Sequence, residues 1–326
     1  MASLSVGIEC CLFTLLLTIF STVLSEWNTK DYLKREHTLV KPYLGPSMNI
    51  PLWDITGSTM ITNNYIRLTS DHQSKQGGLW NSQPILVRNW ELQVQFKVHG
   101  GGRTLYGDGF SIWYTRDRME LGPVFGNRDF FSGLAIFLDT YSNHNGPHNH
   151  AHPYISAMVN NGSLSYDHDA DGTHTELSGC EAQFRNKDHD THISIRYIDG
   201  ILFVYIDIDN KNVWKECFTV NGVHLPTGYY IGISAATGEL ADNHDILSVK
   251  FYELESPEVD ESNFRDIIPS ADYFAQPRDH VADNPASWSA WKIITLTIIV
   301  IGFVIGVFVL IYAYQKHQEG KRKRFY

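Results

Sequence analysis

From Asp139 to His152 the chain reads "DTYSNHNGPHNHAH", a stretch crowded with side chains that hold metal ions. Two chemistries are on offer. Asp139 and Asn143 supply a carboxylate and an amide oxygen, with the backbone carbonyl of Tyr141 between them. A hard cation such as calcium takes about six to eight oxygens. Alternate residues of an extended segment point the same way, so these three donors can converge. The imidazoles of His144, His148, His150 and His152 would suit zinc instead. They have neither a cysteine partner nor a helical HExxH frame, and they read more simply as a solvated polar loop.

A second acidic cluster, "YDHDADG", places Asp167, Asp169, Asp171 and Gly172 in the opening pattern of an EF-hand. The pattern then breaks: Ser178 occupies the twelfth position, where a bidentate glutamate belongs, and no helix flanks the loop. The simpler expectation is that one of these three aspartates completes the oxygen shell begun at Asp139.

These donors need a scaffold. From about Glu36 to Glu255 strand-like runs alternate with turn clusters, among them "WELQVQFKV", "GFSIWYT", "GLAIFLDT", "YISAMV", "HISIRYI", "ILFVYIDI" and "YYIGISA". They are rich in Ile, Val, Phe and Tyr, and several alternate in polarity. Asp199-Gly200 between two such runs signals a type I′ hairpin. Many strands without helical crossovers predict one all-β sandwich domain over residues 36–255. After Glu255 the chain turns to Pro, Asp and Ser, and residues 256–290 read as a stalk without heptads.

The ends set the compartment. An apolar run inside residues 1–25 has the length of a signal peptide, with Ser25 suited to cleavage. Residues 293–314 carry no charge and match a membrane-spanning helix. Basic residues after it place the tail, 315–326, in the cytosol, which makes a single-pass type I membrane protein. Loss of Cys10 and Cys11 with the signal leaves Cys180 and Cys217, an even pair for an oxidising lumen. Asn161-Gly162-Ser163 is a glycosylation acceptor. The formal charge of −10 argues against a nucleic-acid partner.

Three stretches, in order, resemble the L-type, legume-lectin-like lectins: "YGDGFSIWY" (residues 106–114), "IFLDTYSN" (136–143) and "IGISAATGEL" (231–240). With the signal, stalk, span and tail, the chain resembles the vesicular integral-membrane lectins of the early secretory pathway. "YDHDADG", "DNHDI" and the final "KRFY" fit that subfamily. The resemblance implies a jelly-roll fold of the legume-lectin type and calcium-dependent binding of high-mannose N-glycans on cargo glycoproteins. It implies that Asp139, the Tyr141 carbonyl, Asn143 and Asp171 hold Ca2+. Asp108 and Asn143 would bond mannose hydroxyls, the Gly238-Glu239-Leu240 turn would supply backbone N–H groups, and Ser74 and His168 would line the same pocket. The bond before Asp108 is expected to be cis, as at the matching legume position. Arg322, Lys323 and Arg324 resemble an arginine-based retention signal, and Phe325 and Tyr326 an aromatic export signal. Both would engage coat or retention machinery, with residence in the endoplasmic reticulum and cycling to the Golgi.

Two departures stand out. Legume lectins carry a glutamate two residues before the motif aspartate, where it helps bind a transition metal; here that residue is Phe137, so no manganese-type site is expected, and a further calcium site stays open. The turn holds Glu239 where the vesicular lectins usually have aspartate. The alternative of a glycoside hydrolase on the same fold rests on Asp207 and Asp209, which share one strand face but also read as a turn. A membrane protein with a decayed lectin site is the other alternative. The expectation is a binder, not an enzyme.

Overall fold

The computed structural model describes residues 32–46, 49–143, 150–255 and 264–272, with separate positions between 297 and 314. The signal peptide, His144, His148 and the tail residues Arg322 to Tyr326 lie outside the described residues.

In chain order the strands are β1 (Tyr32–Leu33), β2 (Trp53–Gly57), β3 (Met60–Ile61), β4 (Ile66–Thr69), β5 (Gln76–Asn81), β6 (Trp90–His99), β7 (Gly109–Thr115), β8 (Ser132–Asp139) and β9 (Tyr154–Asn161). Then come β10 (Ser178–Glu181), β11 (Thr191–Ile198), β12 (Ile201–Asp207), β13 (Lys215–Asn221), β14 (Val223–His224), β15 (Tyr230–Ala236), β16 (Asn243–Glu253) and β17 (Ser270–Ala271). All but β14 and β17, which pair with each other, form a sandwich of two antiparallel sheets. The larger runs β13-β12-β11-β6-β16-β4-β3, with β1 added beside β16; the smaller runs β10-β9-β8-β7-β15-β5-β2.

Alternation builds the layer between the sheets. On β6, Trp90, Leu92, Val94, Phe96 and Val98 are buried in the core, while Gln93, Gln95, Lys97 and His99 alternate with them and keep partial exposure. On β8, by contrast, every residue is buried. Ile136 and Leu138 face the main core, and Phe137 joins a second cluster with Trp113, Phe125, Phe131 and Tyr166 on the sheet's other face. The continuous apolar run of the sequence is thus a strand covered on both sides. The Phe137 ring lies 4.6 Å from that of Tyr166 and 5.2 Å from that of Phe125, so the position that carries a glutamate in legume lectins is here an anchor for covering loops.

The Asp199-Gly200 hairpin forms between β11 and β12, with φ of 47° and 84° at its two central residues as a type I′ turn requires. Cys180 on β10 is bonded to Cys217 on β13, joining the edge strands of the two sheets. Closing a loop of 37 residues stabilises the fold by roughly 4 kcal/mol in the chain-entropy picture.

Part of the expected stalk returns to the domain. β17 pairs with β14, the Asp272 N–H donates to the Gly222 carbonyl at 2.9 Å, and the Thr227 N–H donates to the Phe264 carbonyl at 3.0 Å. Arg88 lies 4.4 Å from the centre of the Phe264 ring. This strap crosses the pole of the sandwich that carries the Asp199-Gly200 turn, since the Val223 N–H bonds the Gly200 carbonyl.

Residues 278–326 form a separate unit in which the described positions are helical. Among the described residues no helix is long and apolar enough to cross a membrane, which leaves the expected span without structural support.

Candidate functional site

Register assembles the site. Across the smaller sheet Gln76 pairs with Ala236, Ala236 with Gly109, Gly109 with Asp139, and Asp139 with Tyr154. These five residues form one row at one end of the sheet, and the chain segments just beyond it hold Ser74, Thr237 to Leu240, Gly107-Asp108, Thr140 to Asn143, and His152. Residues up to about 165 positions apart in sequence therefore meet because antiparallel neighbours place their ends together.

The acidic half begins at Asp139, which is 7% exposed. Its Oδ1 accepts the Tyr141 N–H at 2.9 Å. Asp171 is 6% exposed and sits in the left-handed region with φ 50°. It follows a single 3₁₀ turn, His168–Ala170, capped by Asp167, whose carboxylate accepts from the N–H groups of Asp169 and Ala170. Asp167 therefore has a structural duty and Asp169 is exposed, while Asp171 turns inward and its Oδ1 accepts the Asn143 N–H at 2.9 Å. The EF-hand-like spelling is a capped turn that delivers one aspartate.

His152 completes this cluster. Its Nε2 lies 3.9 Å from Asp139 Oδ2, and one ligating atom from each of Asp139, His152 and Asp171 falls within 4.8 Å of the others. Nδ1 is 3.2 Å from the His150 carbonyl, which can only accept, so the proton belongs there and Nε2 presents a lone pair. That Nε2 is buried with no hydrogen-bond partner among the described residues. Burial pushes the Asp139 carboxyl well above the usual range, with further upward pressure from Asp171 and Asp108 and an opposing contribution from the Tyr141 N–H. Burial also lowers His152, against the opposing field of Asp171. Converging buried carboxylates and an electron pair, with no Lys or Arg among the described residues in an ion pair to Asp139, form a set that a divalent cation satisfies. Sequence reasoning left His152 in the polar loop; its place immediately before β9, beside the Asp139 end of β8, is what a strand-pairing argument would have found.

The other half is a shallow cradle. Gly107-Asp108 is a cis peptide. The Asp108 carbonyl accepts both the N–H (2.9 Å) and the hydroxyl (3.0 Å) of Thr140, and its N–H points to the Ala236 carbonyl at 3.4 Å. These bonds fix the backbone and leave the carboxyl for a ligand. Burial raises the Asp108 carboxyl to about 6. Facing it is the turn after β15. The Gly238 carbonyl accepts the Ser74 N–H at 3.0 Å, and the Glu239 carbonyl accepts Gln73 Nε2 at 2.8 Å. Thr237 anchors the same turn, donating its N–H to the Lys75 carbonyl and its hydroxyl to the His72 carbonyl. With these carbonyls tied back, the N–H groups of Gly238, Glu239 and Leu240 have no acceptor among the described residues. Gln73, Thr140 and Thr237 are the supporting residues that sequence reasoning missed, because each acts through a distant backbone group.

Asn143 is exposed at the boundary between the two halves, its N–H held by Asp171. Ser74 is exposed, with φ 55°. His168 has Nε2 3.0 Å from the Pro123 carbonyl and packs beside the Tyr166 and Phe125 rings, so only Nδ1 can address a ligand. Burial holds its imidazole below the ordinary value. Asp207 and Asp209 have other work: Asp207 caps a turn through the N–H groups of Lys211 and Asn212, and half-buried Asp209 pairs with Lys211 and Lys215.

Comparison with known proteins places the chain in a family. The Legume-like lectin family profile covers residues 30–261. The vesicular integral-membrane protein VIP36 of Homo sapiens is 48% identical over 326 residues, spanning 97% of this chain and 91% of its own. The VIP36-like protein of Homo sapiens is 50% identical over 308 residues, 92% of this chain and 87% of its own. Among solved structures, the Ca2+/Man3GlcNAc-bound form of the VIP36 exoplasmic/lumenal domain superimposes with a TM-score of 0.70 at 54% identity, over 74% of this chain and 99% of that domain.

Proposed function

Because this chain belongs to the legume-like lectin family, we propose that it is a calcium-dependent lectin for the high-mannose N-glycans of glycoproteins in the early secretory pathway. It is a binding protein, not an enzyme. The observation that carries the reading is the single row of strand ends that brings Asp108, Gly238 and Asp139 to one rim.

In this reading Asp139, Asn143, Asp171 and the Tyr141 carbonyl hold Ca2+, which supplies a fixed positive charge that settles the loop bearing Asn143. Asp108 accepts from mannose hydroxyls, and as a carboxylate it accepts more strongly than a neutral group. Asn143 and the N–H groups of Gly238, Glu239 and Leu240 complete the hydrogen bonding, while Ser74 and Nδ1 of His168 line the rim. Sugar hydroxyls are already solvated in water, so affinity comes from several donors and acceptors fixed in advance. The Glu239 side chain, in place of aspartate, reaches further from the same backbone and alters the rim alone.

The cellular setting follows the same reading. A cleaved signal (residues 1–25), a lumenal domain, a span at 293–314 and a cytosolic tail make a type I protein of the endoplasmic reticulum membrane that cycles to the Golgi. Asn161 carries a glycan, and Arg322 to Tyr326 engage coat or retention machinery.

The test is a glycan array with and without calcium. Retention on high-mannose glycans that disappears with chelator is the expected result. Binding undiminished by chelator rules out the calcium role, absence of binding favours a decayed site, and released sugar favours a hydrolase.

A further inference from the structure

Arg185 lies outside the pocket yet joins two of the segments that build it. Its guanidinium makes two hydrogen bonds of 2.7 Å to the Asp242 carboxylate. The Asp242 side chain has no exposed surface and that of Arg185 is 7% exposed. The same guanidinium lies 3.8 Å from the centre of the Tyr106 ring. Asp242 follows the Gly238–Leu240 turn by two residues, and Tyr106 directly precedes Gly107-Asp108.

Arg185 is itself anchored. Its backbone bridges Val98 at the end of β6, and the Asn186 N–H bonds the Val98 carbonyl at 2.9 Å. The Asn186 side chain accepts the Gly100 N–H and donates to the Gly100 carbonyl. Space around the ion pair is closed: a β-carbon on Gly100 would collide with Asp242 Oδ1 and come within 3.3 Å of Arg185 Nη2. A planar, delocalised cation can grip a carboxylate bidentately in its plane and stack an aromatic ring on its face. Lysine keeps the charge and loses both geometries.

We propose that Arg185 is a positioning residue for glycan recognition: by clamping Asp242 and Tyr106 together it sets the spacing between the Asp108 carboxylate and the N–H groups of the Gly238–Leu240 turn. This rests on the lectin reading given above. Arg185 touches neither glycan nor cation in this role, and the calcium half of the site has its own bonds, Tyr141 to Asp139 and Asn143 to Asp171. Glycan affinity and calcium affinity therefore separate.

The test uses the full-length chain and titrates mannose oligosaccharide at saturating calcium, then calcium alone, alongside thermal melting. Arg185→Lys and Tyr106→Ala are expected to weaken mannose binding about tenfold or more, with calcium affinity unchanged. Tyr106→Phe keeps the ring and retains wild-type affinity, and the Arg185→Lys/Tyr106→Ala double variant loses less than the sum of the singles. Wild-type mannose affinity in both single variants overturns the proposal, as does a parallel fall in calcium affinity and melting temperature, which makes the ion pair general support for the fold. Should Arg185→Lys fail to fold, the contrast between Tyr106→Ala and Tyr106→Phe decides alone. Wild-type protein that binds no mannose overturns the lectin reading, and this proposal with it; wild-type binding with unaffected variants overturns this proposal only.

Discussion

The Asp108 carboxyl lies directly against the α-carbon of Gly238: a β-carbon there would come within 3.3 Å of Oδ2 and 3.4 Å of Oδ1. An acceptor from one strand end and a donor-bearing turn from another thus share a wall where even a methyl group is tight. Gly238→Ala should push the carboxyl aside, or the turn away from it. Mannose affinity is expected to fall about tenfold while calcium binding and melting temperature stay near wild type. Calorimetric titration of both ligands checks this, and equal sugar affinity in the alanine variant would contradict the contact.

Acid should weaken sugar binding through Asp108. Burial raises its carboxyl to about 6, so as pH falls through that value the acceptor takes up a proton. A calcium ion close by favours the ionised form, which moves the midpoint below that of the metal-free protein. The sign for stability is opposite. A folded pKa above the unfolded one, about 3.9, means the folded state binds more protons in that window, so this group makes the fold less stable as pH rises from about 4 to 6. Mannose affinity measured from pH 7 to about 5 should fall in wild type, and the weak residual binding of Asp108→Asn should lose this component of the profile.

His244 sets a separate acid response, of folding. It is fully buried, with Nδ1 2.7 Å from the Thr69 hydroxyl and Nε2 without a hydrogen-bond partner among the described residues. Burial pushes the imidazole down to about 3. Unfolded chains protonate it near 6.5 while the folded state does not, so stability is lost as pH falls from about 6.5 toward 3. Replacing His244 with leucine should flatten the fall of urea-unfolding free energy between pH 6.5 and 4 relative to wild type, whatever its effect at neutral pH. Parallel curves for the two proteins would show that His244 is not the source.

Calcium should stabilise the fold in proportion to its occupancy. A ligand present at about a hundred times its dissociation constant contributes roughly 2.7 kcal/mol when it binds only the folded state. Chelator is expected to lower the melting temperature of wild type. Asp171→Asn, which removes one carboxylate charge and the acceptor best suited to the Asn143 N–H, should lose most of that calcium-dependent increment. Differential scanning fluorimetry with and without calcium reads both.

The strap at the far pole gives a prediction about boundaries. Pro269 is buried, and Ala271 packs against the core while pairing with Val223. A lumenal fragment ending at Glu255 should melt a few degrees below one ending at Asp272, as expected for a loss of about 1 kcal/mol in a domain this size. Mannose affinity should be equal in the two, because the strap sits by the Asp199-Gly200 turn and the pocket lies beyond the opposite ends of the strands.

By itself the sequence determined the period of its strands, the Asp199-Gly200 turn and the pairing of Cys180 with Cys217, because each is encoded by neighbours or by elimination. Its three motif stretches identified the family and so pointed to Asp108, Asp139 and Gly238. Tertiary structure decided which aspartate of "YDHDADG" turns inward, since only the capped turn and the left-handed backbone at Asp171 distinguish it from Asp167 and Asp169. It also brought His152 beside Asp139 and Asp171, gave Gln73 and Thr237 their hold on the Gly238–Leu240 turn, and joined Asp242 to Tyr106 through Arg185. The reason is physical: local patterns fix which face of a strand a residue occupies, but which strand ends become neighbours depends on register across a whole sheet, a property no short window of sequence contains.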